Sequence, residues 1–264
     1  MHTRRQALRG SIGVLVVALV VGGVCVRLGV WQLSRLHQRN EFVAAVERGL
    51  SAAPVPIERV LPPAGEVNAD LARYRRVEVS GTYDTSREVV LYGRGSTGDT
   101  NENHVLTPLV RHDGSGIVVD RGWVPIGDNV PPVEAAAPPH GAVELTGILL
   151  PSEGGLPGEG GGSRVTETTH VDLAQLASQM PYGLEPLYLL LQSQRPPQVS
   201  LPRIAPFRLP SAPPHLSYAI QWFFFAAIAF VGGAVLARRE PDGPPPVTND
   251  RRAGGVENAE TEAR

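Results

Sequence analysis

Two long apolar stretches lie near the ends of the chain. Residues 12–26 contain no charged side chain, and neither do residues 216–237. About 20 apolar residues span the hydrocarbon core of a bilayer as a helix, which satisfies its own backbone hydrogen bonds. The pattern therefore predicts two transmembrane helices, over residues 11–33 and 215–237.

Paired glycines occur inside both predicted helices, at Gly22-Gly23 and Gly232-Gly233. Small residues allow two membrane helices to approach closely, so we expect the two helices to pack on these faces. The first apolar stretch is longer than the core of a cleavable signal peptide and lacks a typical small-residue cleavage site. It is therefore predicted to remain as a membrane helix.

Between the helices, short apolar runs alternate with turn residues, as in a mainly β domain. Predicted strands cover residues 76–79, 88–92, 105–107, 116–120, 143–150 and 187–192. Asp113-Gly114 lies between two of these runs and predicts a hairpin turn. Helical spacing predicts that residues 35–50 prolong the first helix and that residues 171–180 form a short helix.

These elements define a membrane protein in which two transmembrane α-helices flank a mainly β (α+β) domain over residues 34–214. Long loops are translocated largely regardless of their charge. We therefore expect this domain to be extracytoplasmic, with residues 1–10 and a disordered tail, residues 238–264, in the cytoplasm. The glycine-rich residues 151–163 are predicted to be a flexible surface insertion. The predicted location is the cell membrane, with the lipid bilayer as a partner.

Composition excludes several classes of function. The chain has 24 basic and 26 acidic side chains, a net charge of −2, which argues against nucleic-acid binding. Its single cysteine, Cys25, excludes an internal disulfide and a cysteine-based metal cage. Two methionines are too few for a copper chaperone. No nucleophile–base pair is evident, so we expect no enzymatic activity.

Two further patterns have simple structural interpretations. Residues 93–98 match a dinucleotide-binding glycine motif, but no helical pattern follows, so a turn is favoured. His104, His112 and His170 could meet in space around a metal ion, although a surface or core role is more typical of each.

Residues 120–125 combine an arginine, a glycine and a tryptophan at the end of an apolar strand. Arg121 could bind an anionic group in a bidentate manner, and Trp123 could form a partner surface. Alternatively, Trp123 fills the core and Arg121 pairs with a nearby acid.

The second membrane helix begins with His215, and Tyr218 and Trp222 follow it on the same helical face. A neutral imidazole at a membrane boundary can bind haem iron, and aromatic side chains can pack against the macrocycle. The alternative is an aromatic belt at the membrane interface.

Four blocks of sequence, in this order, resemble the surfeit-locus protein one family of cytochrome c oxidase assembly factors. They are GVWQLSRL at residues 29–36, VLTPL at 105–109, VDRGWVP at 119–125 and HLSYAIQW at 215–222. Residues 101–104 depart from the family pattern, in which many relatives have a glycine in this loop.

The resemblance implies a protein that assists the delivery or retention of haem a while the catalytic subunit of the oxidase matures. It also implies that the domain faces the outer side of the membrane and that haem a synthase is a possible partner. His215 is the expected axial ligand of the haem iron. Tyr218 and Trp222 would flank the ring, Arg121 would approach a propionate, and Trp31 and Gln32 on the other helix would close the site. The competing hypothesis is a haem-independent scaffold that binds oxidase subunits through the surface around Trp123.

Overall fold

The computed structural model describes residues 2–62, 69–93, 102–127, 130–154, 164–209 and 213–238. The chain divides into two compact units. The helical unit comprises Met1–Leu36 and Pro213–Arg264, and the sheet unit comprises His37–Ala212. Helix α1, His2–Ser51, contributes to both units.

The helical unit contains the first part of α1 and helix α4, His215–Arg238. The most apolar 18 residues of Ser11–Ser51 have a mean hydropathy of 2.4 and those of His215–Arg238 one of 2.0, so both helices are long and apolar enough to cross a membrane. The predicted fold class is confirmed: two long apolar helices flank a mixed sheet domain. The predicted membrane boundaries at residues 33 and 215 stay predictions.

Within the helical unit, α1 and α4 run antiparallel and pack through small residues. A Cβ at Gly22 would overlap the Phe230 ring, and one at Gly233 would overlap the Ala18 side chain. A Cβ at Gly29 would likewise overlap the Phe223 ring, a contact that the sequence pattern did not predict. By contrast, a Cβ at Gly23 or Gly232 would meet nothing within 4 Å, so only one glycine of each pair serves the packing.

The described residues of the sheet unit include eight strands and two short α-helices. These are β1 (Val55–Pro56), α2 (Ala69–Ala72), β2 (Arg76–Tyr83), β3 (Val89–Leu91), β4 (Glu102–Val110), β5 (Gly116–Pro125), β6 (Ala142–Pro151), β7 (Glu167–Thr168), α3 (Leu173–Ala177) and β8 (Leu187–Arg195). The strand order is β1-β2-β6-β8-β5-β4-β3-β7. An additional pairing between β2 and β4 closes strands β2, β6, β8, β5 and β4 into a small barrel.

The barrel interior forms the main hydrophobic core. In β2, Val77, Val79 and Tyr83 are buried while the residues between them are largely exposed, as strand periodicity requires. Leucine and valine side chains of β6 and β8 complete this core. A second cluster, which includes Leu106 and Ile148, packs against Leu173 of α3.

The last turns of α1 belong to the sheet unit and pack on it. Val46 is 1% exposed, and the Phe42 ring meets the Tyr74 ring edge to face at 5.5 Å. Leu50 packs against the second cluster. The predicted prolongation of the first helix over residues 35–50 is therefore confirmed, and its apolar stripe contacts the sheet.

Several strands are longer than the apolar runs that predicted them. β4 begins at Glu102, so the expectation of a loop over residues 101–104 is wrong for 102–104. These residues pair with β5, where His104 lies opposite Trp123. The hairpin at Asp113-Gly114 is confirmed, because β4 and β5 are antiparallel and Gly114 has a φ of +82°.

The predicted helix over residues 171–180 is shorter in the structure. α3 covers only Leu173–Ala177, and the Asp172 side chain accepts hydrogen bonds from the backbone N–H groups of Ala174 and Gln175 at its start. Three other predictions lie wholly or largely outside the described residues: the turn after Gly93, the glycine-rich insertion and the tail.

Candidate functional site

His215 is the first residue of α4 and lies beside Gln32 of α1 in the helical unit. The His215 Nδ1 atom is 2.8 Å from the Gln32 Oε1 atom. With the Gln32 amide in this orientation its oxygen accepts, so Nδ1 is assigned as the protonated donor. In the neutral ring, Nε2 then keeps the lone pair. Histidines that bind metals commonly have this arrangement, because the other ring nitrogen donates a hydrogen bond to a neighbouring group.

The other predicted residues of the helical unit differ in exposure. His215, Gln32 and Trp222 are half-buried, whereas Tyr218 is 46% exposed and Trp31 is 50% exposed. His215 contacts α1 through Gln32, and Tyr218, one turn further along α4, is more exposed than His215 and Trp222.

Trp31 and Trp222 contact residues of their own helices. The Arg35 guanidinium lies 5.6 Å from the centre of the Trp31 ring, and the Trp222 ring meets the Phe225 ring at 5.9 Å. The structure thus joins Gln32 directly to His215 and places the aromatic side chains along the same two helices.

A single imidazole provides one axial ligand, which is what iron in a planar macrocycle requires from a protein side chain. Among the described residues, no three His, Cys, Asp or Glu side chains are grouped to hold a metal ion.

Arg121 belongs to the sheet unit and points into the end of the barrel. It has the same strand parity as Ile117 and Val119, which face the core. Its side chain is fully buried, with Nη1 3.4 Å from the Glu88 Oε2 atom and Cζ 5.1 Å from the centre of the Tyr83 ring. The alternative in which Arg121 pairs with an acid therefore describes this structure.

Burial dominates the ionisation of this pair. It raises the pKa of Glu88, although hydrogen bonds from Val133 and Thr107 and the charge of Arg121 act in the opposite direction. Burial also lowers the pKa of Arg121, against the attraction of Tyr83 and Glu88. Two desolvated charges thus face each other at the end of the barrel.

Gly122 allows the segment after β8 to cross the end of β5. Its φ is +114°, and a Cβ there would overlap the Arg203 carbonyl oxygen. Trp123 and Arg203 exchange two backbone hydrogen bonds of 2.9 Å, and the Arg203 guanidinium lies 5.1 Å from the centre of the Trp123 ring. Trp123 is half-buried, so part of it packs in the core and part remains accessible.

Sequence reasoning missed a buried pair on the outer side of the barrel. The His104 Nδ1 atom lies 2.9 and 3.0 Å from the two carboxylate oxygens of Asp120, and both side chains are at least 94% buried. They border a cavity of about 360 Å³ that Tyr74 and Phe207 also line. The pairing depends on strand register, which the separate sequence runs do not reveal.

Residues 19–227 match the SURF1 family, which covers most of the chain. The chain belongs to the SURF1 family. This is the surfeit-locus protein one family that the four sequence blocks resemble, so that identification is confirmed.

Curated SURF1-like proteins match over most of their length. An uncharacterized SURF1-like protein of Mycobacterium bovis is 30% identical over 83% of this chain and 82% of its own. A SURF1-like protein of Rickettsia felis is 25% identical over 84% of this chain and 96% of its own. One from Monosiga brevicollis is 26% identical over 80% and 83%, respectively. SURF1-like proteins thus occur in bacteria and in a eukaryote.

Proposed function

We propose that this SURF1 family protein is an assembly factor for cytochrome c oxidase that assists the delivery or retention of haem a. The observation that carries the proposal is the hydrogen bond from His215 Nδ1 to the Gln32 side chain. It directs the basic Nε2 away from the amide and prepares the imidazole as an axial ligand. We propose that the protein itself catalyses no reaction.

Haem a, when bound, would supply the iron atom. His215 would hold that iron, and Gln32 would fix the imidazole tautomer and ring orientation. Trp222, Tyr218 and Trp31 would offer aromatic surface to the macrocycle from the two helices.

Arg121 would meet a carboxylate such as a haem propionate. Its guanidinium already has Glu88 as a counter-ion, so a second carboxylate would add to an existing buried ion pair. This role would involve residues of the sheet unit alone.

The proposed partners are the catalytic subunit of the oxidase, haem a synthase as a possible donor of the haem, and the lipid bilayer. We propose that both termini lie in the cytoplasm and that the sheet unit faces the outer side of the cell membrane. The antiparallel arrangement of α1 and α4 is consistent with termini on one side.

A haem-independent scaffold is the second candidate, favoured by the apolar side chains near the Trp123–Arg203 bridge. Ile126 is 58% exposed and Ile204 is 44% exposed. Such a surface could bind an oxidase subunit directly. In that case Trp123→Ala should abolish co-purification with the oxidase, whereas His215→Ala should have no effect.

A strain that lacks this gene tests the proposed function. It is complemented with the wild-type chain, His215→Ala or Trp123→Ala, and the haem a content of the purified oxidase is measured with the level of its catalytic subunit. We expect His215→Ala to leave the oxidase deficient in haem a although the variant protein accumulates normally. Full haem a content with His215→Ala and loss with Trp123→Ala would instead establish the scaffold.

A further inference from the structure

A second cavity lies at the Arg121 end of the barrel. Its volume is about 420 Å³. Its lining includes Arg121, Arg203, Gln194, Gln198, Leu191 and Ile204. None of the described residues that line it is acidic, so its own charged groups are two guanidinium ions.

Arg121 is incompletely satisfied by its neighbours. Its Nε–H group is buried and has no hydrogen-bond acceptor. Its Nη1 atom makes long contacts, 3.4 Å to Glu88 and 3.5 Å to Thr107, and the Tyr83 hydroxyl is a further hydrogen-bond partner of the guanidinium. A buried guanidinium with an unused donor is costly, and an incoming acceptor would relieve that cost.

Two donors already converge on one oxygen atom beside this cavity. The Gln198 Oε1 atom lies 3.2 Å from Arg121 Nη2 and 3.4 Å from Gln194 Nε2. A neutral amide oxygen therefore occupies a position that favours negative charge. Gln198 is half-buried and lies in the segment after β8, at the edge of the cavity.

The charges at this site favour a monoanion. Glu88 neutralises one of the two arginines, which leaves a single positive charge beside the cavity. Leu191 and Ile204 provide apolar surface for the rest of the ligand. A dianion such as phosphate would carry an excess charge into this apolar surrounding at a high desolvation cost.

We propose that Arg121 and Arg203 form a carboxylate-binding site, whose ligands are monocarboxylates with an apolar body. Arg203 is exposed and would contact the carboxylate at the mouth of the cavity. Arg121 is buried and would bind the carboxylate inside the cavity. The site extends the role proposed for Arg121 and thus rests in part on the proposed function. It requires neither haem nor His215, so it can be tested separately.

The test uses the full chain, purified in detergent from cells that make no haem a, and isothermal titration calorimetry. The probe is 3-phenylpropionate, compared with the neutral 3-phenylpropanamide and with inorganic phosphate. We expect binding of the carboxylate only. Equal binding of the amide, or tighter binding of phosphate, would overturn the proposal.

Arg203→Gln is the informative variant because Arg203 is exposed and its strand-like pairing with Trp123 uses backbone atoms. We expect it to weaken 3-phenylpropionate binding about fivefold, as for the loss of a partly exposed ion pair, and we expect Arg203→Lys to restore most of it. Arg59→Gln, an exposed arginine outside the cavity lining, is the matched control.

Unchanged affinity in Arg203→Gln would overturn the assignment of this cavity. His215→Ala should bind 3-phenylpropionate like the wild type. If that variant loses haem a but keeps the carboxylate, the two sites are independent, and failure of one proposal is distinguishable from failure of the other.

Discussion

Asp120 and Arg121 are adjacent in β5, yet their side chains serve opposite sides of the barrel. The Asp120 carboxylate contacts the His104 ring on the outer side of the barrel. The Arg121 guanidinium pairs with the Glu88 carboxylate inside the end of the barrel. Strand alternation separates them, and the backbone turns at Gly122 directly afterwards. Three consecutive residues thus place one buried polar pair on each side and bring Arg203 over Trp123.

Gly122→Ala should destabilise the sheet unit. The substitution imposes a side chain at a φ of +114° and against the Arg203 carbonyl oxygen. Gly127→Ala is the matched control, because Gly127 has a φ of +123° but nothing within 4 Å of its Cβ position. We expect Gly122→Ala to lower the free energy of unfolding by about 2 kcal/mol more than the control, the usual cost of overpacking. Chemical denaturation measures both, and equal losses would show that the contact with Arg203 is unimportant.

Glu88 should make the stability of the chain depend on pH in a defined direction. Burial raises its pKa in the folded state, so folding favours its protonated form. The contribution of Glu88 is therefore fully present below the ordinary pKa of about 4.3 and is lost as the pH rises through the folded pKa.

The measurement is the free energy of unfolding of the wild type minus that of Glu88→Gln, followed from pH 4 upwards by chemical denaturation. We expect this difference to fall as the pH rises. A difference that grows with pH would mean that attraction to Arg121 outweighs the burial of the carboxylate.

At the scale of elements, hydrophobic length and alternation predicted the two long helices and most of the strands. They could not predict the whole of β4, because Glu102 and Asn103 are polar residues that become buried only through pairing with β5. The bulge between His104 and Leu106 likewise depends on the register of two separate strands. Local pattern therefore located the elements, and tertiary pairing determined their ends.

The candidate residues show the same division. Helical spacing placed His215, Tyr218 and Trp222 on one face of α4, but the contact between His215 and Gln32 joins two helices far apart in the sequence. The acidic partner of Arg121 was anticipated as one alternative, although its identity as Glu88 required the barrel to close. Nothing in the sequence pattern distinguishes Gly233, which packs on Ala18, from Gly232, which does not.

This difference between adjacent glycines provides a test of helix packing. Cys25 is the only cysteine and is 7% exposed in the helical unit. Gly233→Leu should force α1 and α4 apart and speed the reaction of Cys25 with N-ethylmaleimide about fivefold or more, since overpacking costs on the order of 1–3 kcal/mol. Gly232→Leu is the matched control and should react like the wild type; equal acceleration by both variants would contradict the observed packing face.

At the scale of the whole molecule, two candidate membrane helices are joined by a sheet unit that belongs to the chain between them. The proposed orientation places that unit outside the cytoplasm. In a Cys25→Ser background, we expect His112→Cys, in the exposed β4–β5 turn, to react with a membrane-impermeant maleimide in intact cells. Thr248→Cys should react only after lysis, and the reverse pattern would contradict the orientation.

The most direct test of the central claim is the haem a content of the purified protein itself. The wild type, His215→Ala and the control His112→Ala are purified from cells that make haem a, and the absorbance of bound haem is compared at equal protein concentration. We predict that the wild type and His112→Ala retain haem a and that His215→Ala loses it. Identical haem content in all three proteins would contradict the role of His215 as the axial ligand.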